Sequence, residues 1–133
     1  MHIRYSQSKQ VDTNQLERLF HSVDWKSGQY PNELQAAIRQ SHSVLTAWAD
    51  EQLVGLINTL SDGCMTVYFH YVLVHPEYQS RGIGRSLVEQ MLERYKNYKT
   101  ILLVSYEETE AFYERIGFKT QSETKAMYIT ELL

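Results

Sequence analysis

The chain has 133 residues, 43% hydrophobic and 22% charged, a balance that suits one globular domain over residues 1–133 and excludes a disordered chain. Its net charge of −3 excludes the broad basic surface of a nucleic-acid binder, though not a small local anion site. A single cysteine, Cys64, excludes an internal disulfide or cysteine-rich zinc site and reads as structural, and no metal is expected. No run reaches the roughly 20 apolar residues of a membrane span, and residues 1–5 lack the apolar stretch of a signal peptide. A cytoplasmic protein is the expectation.

Residues 3–6 read as a short strand. Asp12 is placed to cap a helix with Gln15 as its capping-box partner, and Leu16, Leu19, Phe20 and Val23 then recur at helical spacing. Residues 25–30 form a loop. Pro31 and Asn32 suit a second helix start, with Leu34, Ala37 and Ile38 on its apolar face. Residues 44–49 and 53–60 predict a hairpin across the polar turn 50–52. Residues 65–74 form a run apolar on both faces apart from His70 and the tyrosine hydroxyls, as in a strand covered on both sides. Pro76 ends it. An amphipathic helix carries Ile83, Leu87, Val88, Met91, Leu92 and Tyr95 on one face, and a buried strand is expected at 100–104. Thr109 is placed to cap a short helix closed by Gly117, and residues 118–130 predict one or two final strands. The order β-α-α-β-β-β-α-β-α-β implies an α/β (α+β) fold, a mixed sheet with helices on both faces.

Chemistry concentrates in residues 72–86. A central strand ends, a turn with Gly82 and Gly84 follows, and a helix begins at once. The first N–H groups of a helix lack internal partners and favour an anion. Glycines let the backbone approach it, and Arg81 and Arg85 add positive charge. The third glycine of a dinucleotide fingerprint is absent, Leu87 standing in its place, and no Gly-Lys-Ser/Thr of a P-loop is present. Spacing alone fits a plain strand–turn–helix connection as well as an anion site.

The string Gln79-Ser80-Arg81-Gly82-Ile83-Gly84 resembles the Gln/Arg-x-x-Gly-x-Gly/Ala signature of the GNAT superfamily of N-acetyltransferases. The preceding Val74-His75-Pro76-Glu77-Tyr78 is similar to that family too, and Phe112-Tyr113-Glu114-Arg115-Ile116-Gly117-Phe118 looks like its second marker. The resemblance implies a mostly antiparallel GNAT-like acyl-CoA N-acyltransferase fold, acetyl-CoA as cofactor, and transfer of acetyl to the primary amine of a small molecule by direct attack in a ternary complex. It implies that backbone groups of Leu73 and Val74 bind the acetyl carbonyl and pantetheine, and that backbone N–H groups of Gln79, Ser80, Arg81, Gly82, Ile83, Gly84 and Arg85 hold the pyrophosphate. Tyr113 matches the family tyrosine near the cofactor sulfur, the candidate general acid. The alternatives are a protein N-terminal or lysine acetyltransferase, and a non-catalytic acyl-CoA-binding or regulatory module on the same fold.

A base is also needed, because the attacking amine must be neutral. His70 titrates near neutral pH and is the candidate, although a lone histidine on an apolar strand is commonly a satisfied core residue. Tyr68, two residues earlier, shares its face if no bulge intervenes. The pair resembles the strand on which arylalkylamine-type members carry two histidines. Trp25, Tyr30 and Tyr68 are candidate acceptor contacts, and Glu107 and Glu108 either attract a cationic acceptor or simply complement a helix start. An exposed final strand would also offer an edge to a second copy, making a homodimer the expected assembly.

Overall fold

The computed structural model describes residues 2–133. Its centre is a five-stranded mixed sheet in the order β1-β2-β3-β4-β5, formed by Arg4–Ser6, Ser43–Ala49, Gln52–Ser61, Thr66–Val74 and Thr100–Leu103. The first three pairings are antiparallel and the β4–β5 pairing is parallel. α1 (Thr13–Ser22) and α2 (Pro31–Arg39) cover one face, while α3 (Ile83–Arg94) and α4 (Glu110–Ile116) cover the other.

Each face has its own apolar core. Leu16, Leu19 and Phe20 of α1 and Leu34 and Ile38 of α2 pack on Val44, Leu53, Leu56 and Leu73. Ile83, Leu87, Val88 and Met91 of α3 pack on Leu45, Ala47, Ile57, Val67 and Phe69. Burying each such side chain contributes about 1.5–3 kcal/mol, so the two faces together clamp the sheet. Gly55 sets how closely α3 lies: a Cβ there would stand 3.2 Å from both Ile83 and Leu87. At the far end of α3, the buried Tyr95 hydroxyl donates to Ser43 Oγ at 2.6 Å and bonds Thr59 Oγ1 at 2.8 Å. Those bonds fix the helix to β2 and β3.

Three local expectations are corrected. Asp12 precedes α1 without a side-chain cap bond, because Gln15 is spent elsewhere: it donates to the Glu51 carbonyl and accepts from Leu53 N–H. Thr109 makes no cap bond to α4, since its hydroxyl turns back to the Tyr106 carbonyl. Residues 118–133 form no strand. They have strand-like composition, but no other described strand pairs with them, and a strand exists only as part of a ladder. Cys64 is exposed in the β3–β4 turn. That turn is organised by the Asp62 carboxylate, which accepts N–H bonds from Cys64, Met65 and Thr66.

Candidate active site

The site begins with a bulge in β4. Thr59 pairs with Phe69 and Ile57 pairs with Val72, so Asn58 alone faces His70 and Tyr71. One extra residue puts two consecutive side chains on the same face. The rings of His70 and Tyr71 accordingly stack at 4.0 Å, and Tyr68 lies 5.3 Å from His70, as its shared face requires. The bulge would leave the Tyr71 N–H without a ladder partner. Asn58 supplies one: its Oδ1 accepts that N–H at 2.8 Å, while its Nδ2 donates to Ser41 Oγ at 3.0 Å. A buried amide in a mostly apolar strand thus holds the bulge.

Beyond the bulge, β4 leaves β5. Their pairing runs from Thr66–Thr100 to Phe69–Leu103 and stops. The His75 N–H donates to Val54 O, so alternation along the strand turns the polar backbone groups of residues 71, 73 and 75 towards β3. Those of Val72 and Val74 turn into the gap. The Leu73 backbone, expected to meet a ligand, thus faces β3, and Val72 and Val74 are the strand residues whose N–H groups face the gap. Gln79 crosses back to donate to the Val74 carbonyl at 3.0 Å, strapping the turn to the strand end.

The turn itself is shaped for an anion. Gly82 caps α3 with φ +82°, a left-handed conformation that suits glycine, and no side chain caps the helix. The first intrahelical bond is Ser86 N–H to Gly82 O, which leaves the N–H groups of Ile83, Gly84 and Arg85 outside the helical ladder. A Cβ on Gly84 would meet Phe112 and Val74 at 3.6 Å, on the line joining the turn to the gap. Ser80 also takes a positive φ, +64°. The arginines are already engaged: Arg81 lies over the Tyr78 ring at 5.2 Å, and Arg85 Nε donates to Glu89 at 3.1 Å.

A cleft of about 70 Å³ opens where β4 and β5 separate, and Trp25, His70, Val72, Ser105, Tyr106 and Tyr113 help to line it. Trp25 stands between Tyr71 and Tyr106, with ring centres 6.1 and 6.3 Å away. The Trp25 loop is tied down by a 2.7 Å bond between Ser27 Oγ and the Tyr71 hydroxyl. Tyr30 is exposed at the start of α2 and is not part of this lining. Glu107 and Glu108 form a 3-10 turn ahead of α4. Tyr71, Tyr106 and Asn58 complete the arrangement without standing out as site residues in the sequence. The one available signal was Asn58, an amide inside a buried strand that has to find partners.

Two titrations follow from burial. The Tyr113 hydroxyl, on α4, is pushed up to about 12 by desolvation and is protonated at neutral pH. Burial also lowers the His70 imidazole below its ordinary 6.5, so it is neutral there. A protonated phenol from α4 and a neutral imidazole from β4 thus line one cleft.

The model of the acetyltransferase (GNAT) domain matches residues 9–128. The chain belongs to the GNAT acetyltransferase family. As a member it is an acetyltransferase enzyme, and the expected fold is borne out by solved structures. A GNAT family acetyltransferase from Streptococcus pneumoniae superposes with a TM-score of 0.84 at 27% identity, covering 98% of this chain and 99% of that one. The N-acetyltransferase ycf52 of Pyropia yezoensis is 26% identical over 95% of this chain and 76% of its own. The histone acetyltransferase TAP1 of Glycine max is 27% identical over 91% of this chain but only 58% of its own. No helix among the described residues of this acetyltransferase is long and apolar enough to cross a membrane.

Proposed function

We propose that this acetyltransferase transfers acetyl from acetyl-CoA to the primary amine of a small molecule by direct attack. The observation that carries the reading is the cleft between β4 and β5, which brings a neutral imidazole and a protonated phenol to one gap. The residues present fit coenzyme A. Gly82 and Gly84 leave the entry to α3 open, and the N–H groups of Ile83, Gly84 and Arg85 suit a pyrophosphate. Gln79, Ser80 and Arg81 shape the turn that leads to them. The gap-facing backbone of Val72 and Val74 suits the amide-bearing pantetheine arm, in the manner of an added strand.

When bound, acetyl-CoA supplies the acetyl group as a thioester. His70 accepts the proton that the amine nitrogen must lose as its bond to the acetyl carbon forms. Tyr113 donates its proton to the departing thiolate as the carbon–sulfur bond breaks, giving the amide and free coenzyme A. Trp25 and Tyr68 bound the acceptor side. The narrow cleft between β4 and β5, with Trp25 at its rim, favours a slender amine over a folded protein surface.

Release of free thiol from acetyl-CoA across a panel of small amines is the test. Turnover with small amines and none with lysine peptides is expected. Turnover with peptides alone would support the protein-acetylating alternative, which the TAP1 likeness keeps in view. Tight acetyl-CoA binding without turnover on any acceptor would make the chain a binding module.

A further inference from the structure

Trp25 stands at the rim of the cleft because its loop is anchored on two sides. The first anchor is α1. Asp24 takes φ +59°, a strained conformation for a residue with a side chain, and the Trp25 N–H returns to the Phe20 carbonyl at 3.1 Å. The 3-10 turn Lys26–Gln29 then lies hard against the helix, where a Cβ on Gly28 would stand 3.1 Å from the Phe20 Cβ. The Phe20 ring meets Trp25 at 6.0 Å and Tyr71 at 4.9 Å, both edge-on.

The second anchor is β4, through the 2.7 Å bond between Ser27 Oγ and the Tyr71 hydroxyl. Ser27 is buried, at 8% exposure, so little water competes for that bond. Tyr71 reaches Ser27 only because of the bulge. Val67 and Phe69 pack beneath α3, and strict alternation would send residue 71 to the same core. The extra residue turns it over, and Tyr71 packs with Phe20 beneath α1. The rim facing Trp25 is built differently. The Tyr106 carbonyl accepts the hydroxyls of Ser105 and Thr109, which holds its backbone, but its ring is 52% exposed. An entering molecule can push the exposed Tyr106 ring aside, whereas Trp25 stays where its loop is held.

We propose that Ser27 and Tyr71 determine acceptor specificity: their hydrogen bond holds Trp25 at the rim and so limits the cross-section of the amine that reaches His70 and Tyr113. The proposal rests on the small-amine reading of the cleft. Both act as positioning residues, through Trp25, and neither exchanges a proton with the reacting atoms. Without the bond the Phe20 packing remains, so the loop loosens without unfolding. A looser rim admits broader amines and grips slender ones less well.

Tyr71→Phe and Ser27→Ala each delete one hydroxyl and should keep the circular dichroism of the parent. For n-butylamine, KM should rise about fivefold, as loss of one hydrogen bond does, with kcat nearly unchanged. The kcat/KM ratio of cyclohexylamine to n-butylamine should rise about tenfold. The double variant should do no more than either single one, since all three lose the same bond. The chain has two tryptophans, so in a Trp48→Phe background Trp25 alone reports, and acrylamide should quench it more strongly in each variant. An unchanged amine ratio or unchanged quenching in both variants would overturn the proposal. A fall in kcat with KM unchanged would place Tyr71 in the chemistry and overturn it too. A parent that turns over no amine would instead defeat the small-amine reading beneath it.

Discussion

Along β4, residues 67–69 are paired on both edges, whereas residues 72–74 are paired only with β3. Both halves come from one apolar run and both are packed between helices. What separates them is the bulge at His70 and Tyr71. Before it, every backbone group serves the sheet. After it, one edge is held by the fold and the other is left for chemistry. A strand can therefore present unpaired polar groups without loosening, provided its other edge and both faces are secured.

The largest effect should come from closing the free edge. Val74→Pro removes the N–H that faces the gap while sparing the β3 ladder, where residues 73 and 75 are bonded. If the Val74 N–H meets the acetyl carbonyl, as the family resemblance implies, the variant should lower kcat/KM by about 10³-fold, with thermal unfolding little changed. An equal loss of Tm and rate would mean that the two edges are not independent. Tyr113→Phe comes next. It should lower kcat by about 10²-fold while titration calorimetry shows acetyl-CoA affinity unchanged.

Asn58→Ala attacks the boundary itself. Leaving the Tyr71 N–H unsatisfied, while Ser41 keeps its bond to the Ala37 carbonyl, should cost about 2 kcal/mol in urea unfolding. It should also slow turnover, because His70 is no longer held in its stack on Tyr71. His70→Ala should remove the acidic limb of the kcat/KM profile. In the parent that limb falls as pH drops through a value below 6.5, since burial lowers the imidazole and protonation abolishes the base. A limb that persists in the variant would exclude His70. The smallest change is Glu89→Gln, which frees the exposed Arg85 guanidinium for a ligand phosphate. An effect of about twofold on acetyl-CoA affinity is expected, in keeping with surface ion pairs.

The order of elements was legible because periodicity and punctuation agreed: Pro31 opens α2, Pro76 follows β4, and Gly117 closes α4. Gly82 and Gly84 marked the turn for the same local reason. The bulge was not legible. It depends on which residue of β3 faces which residue of β4, and a register between strands is written in neither strand alone. Reading Leu73 as a ligand-facing residue followed from that gap in knowledge, because the direction of a backbone group depends on the register. The tail failed differently. Its composition is that of a strand, and composition cannot say whether a partner edge lies in the same molecule. The capping expectation for Asp12 failed because Gln15 had better partners, brought near by the β2–β3 turn 36 to 38 residues away.

The opening between β4 and β5 is lined by residues from both sides of the sheet. His70 and Trp25 stand on the side of α1, and Tyr113 on the side of α4. Under the proposed reaction, the two products would leave by opposite mouths. Neither would have to wait for the other, so release should be random in order, and each product should inhibit competitively against its own parent.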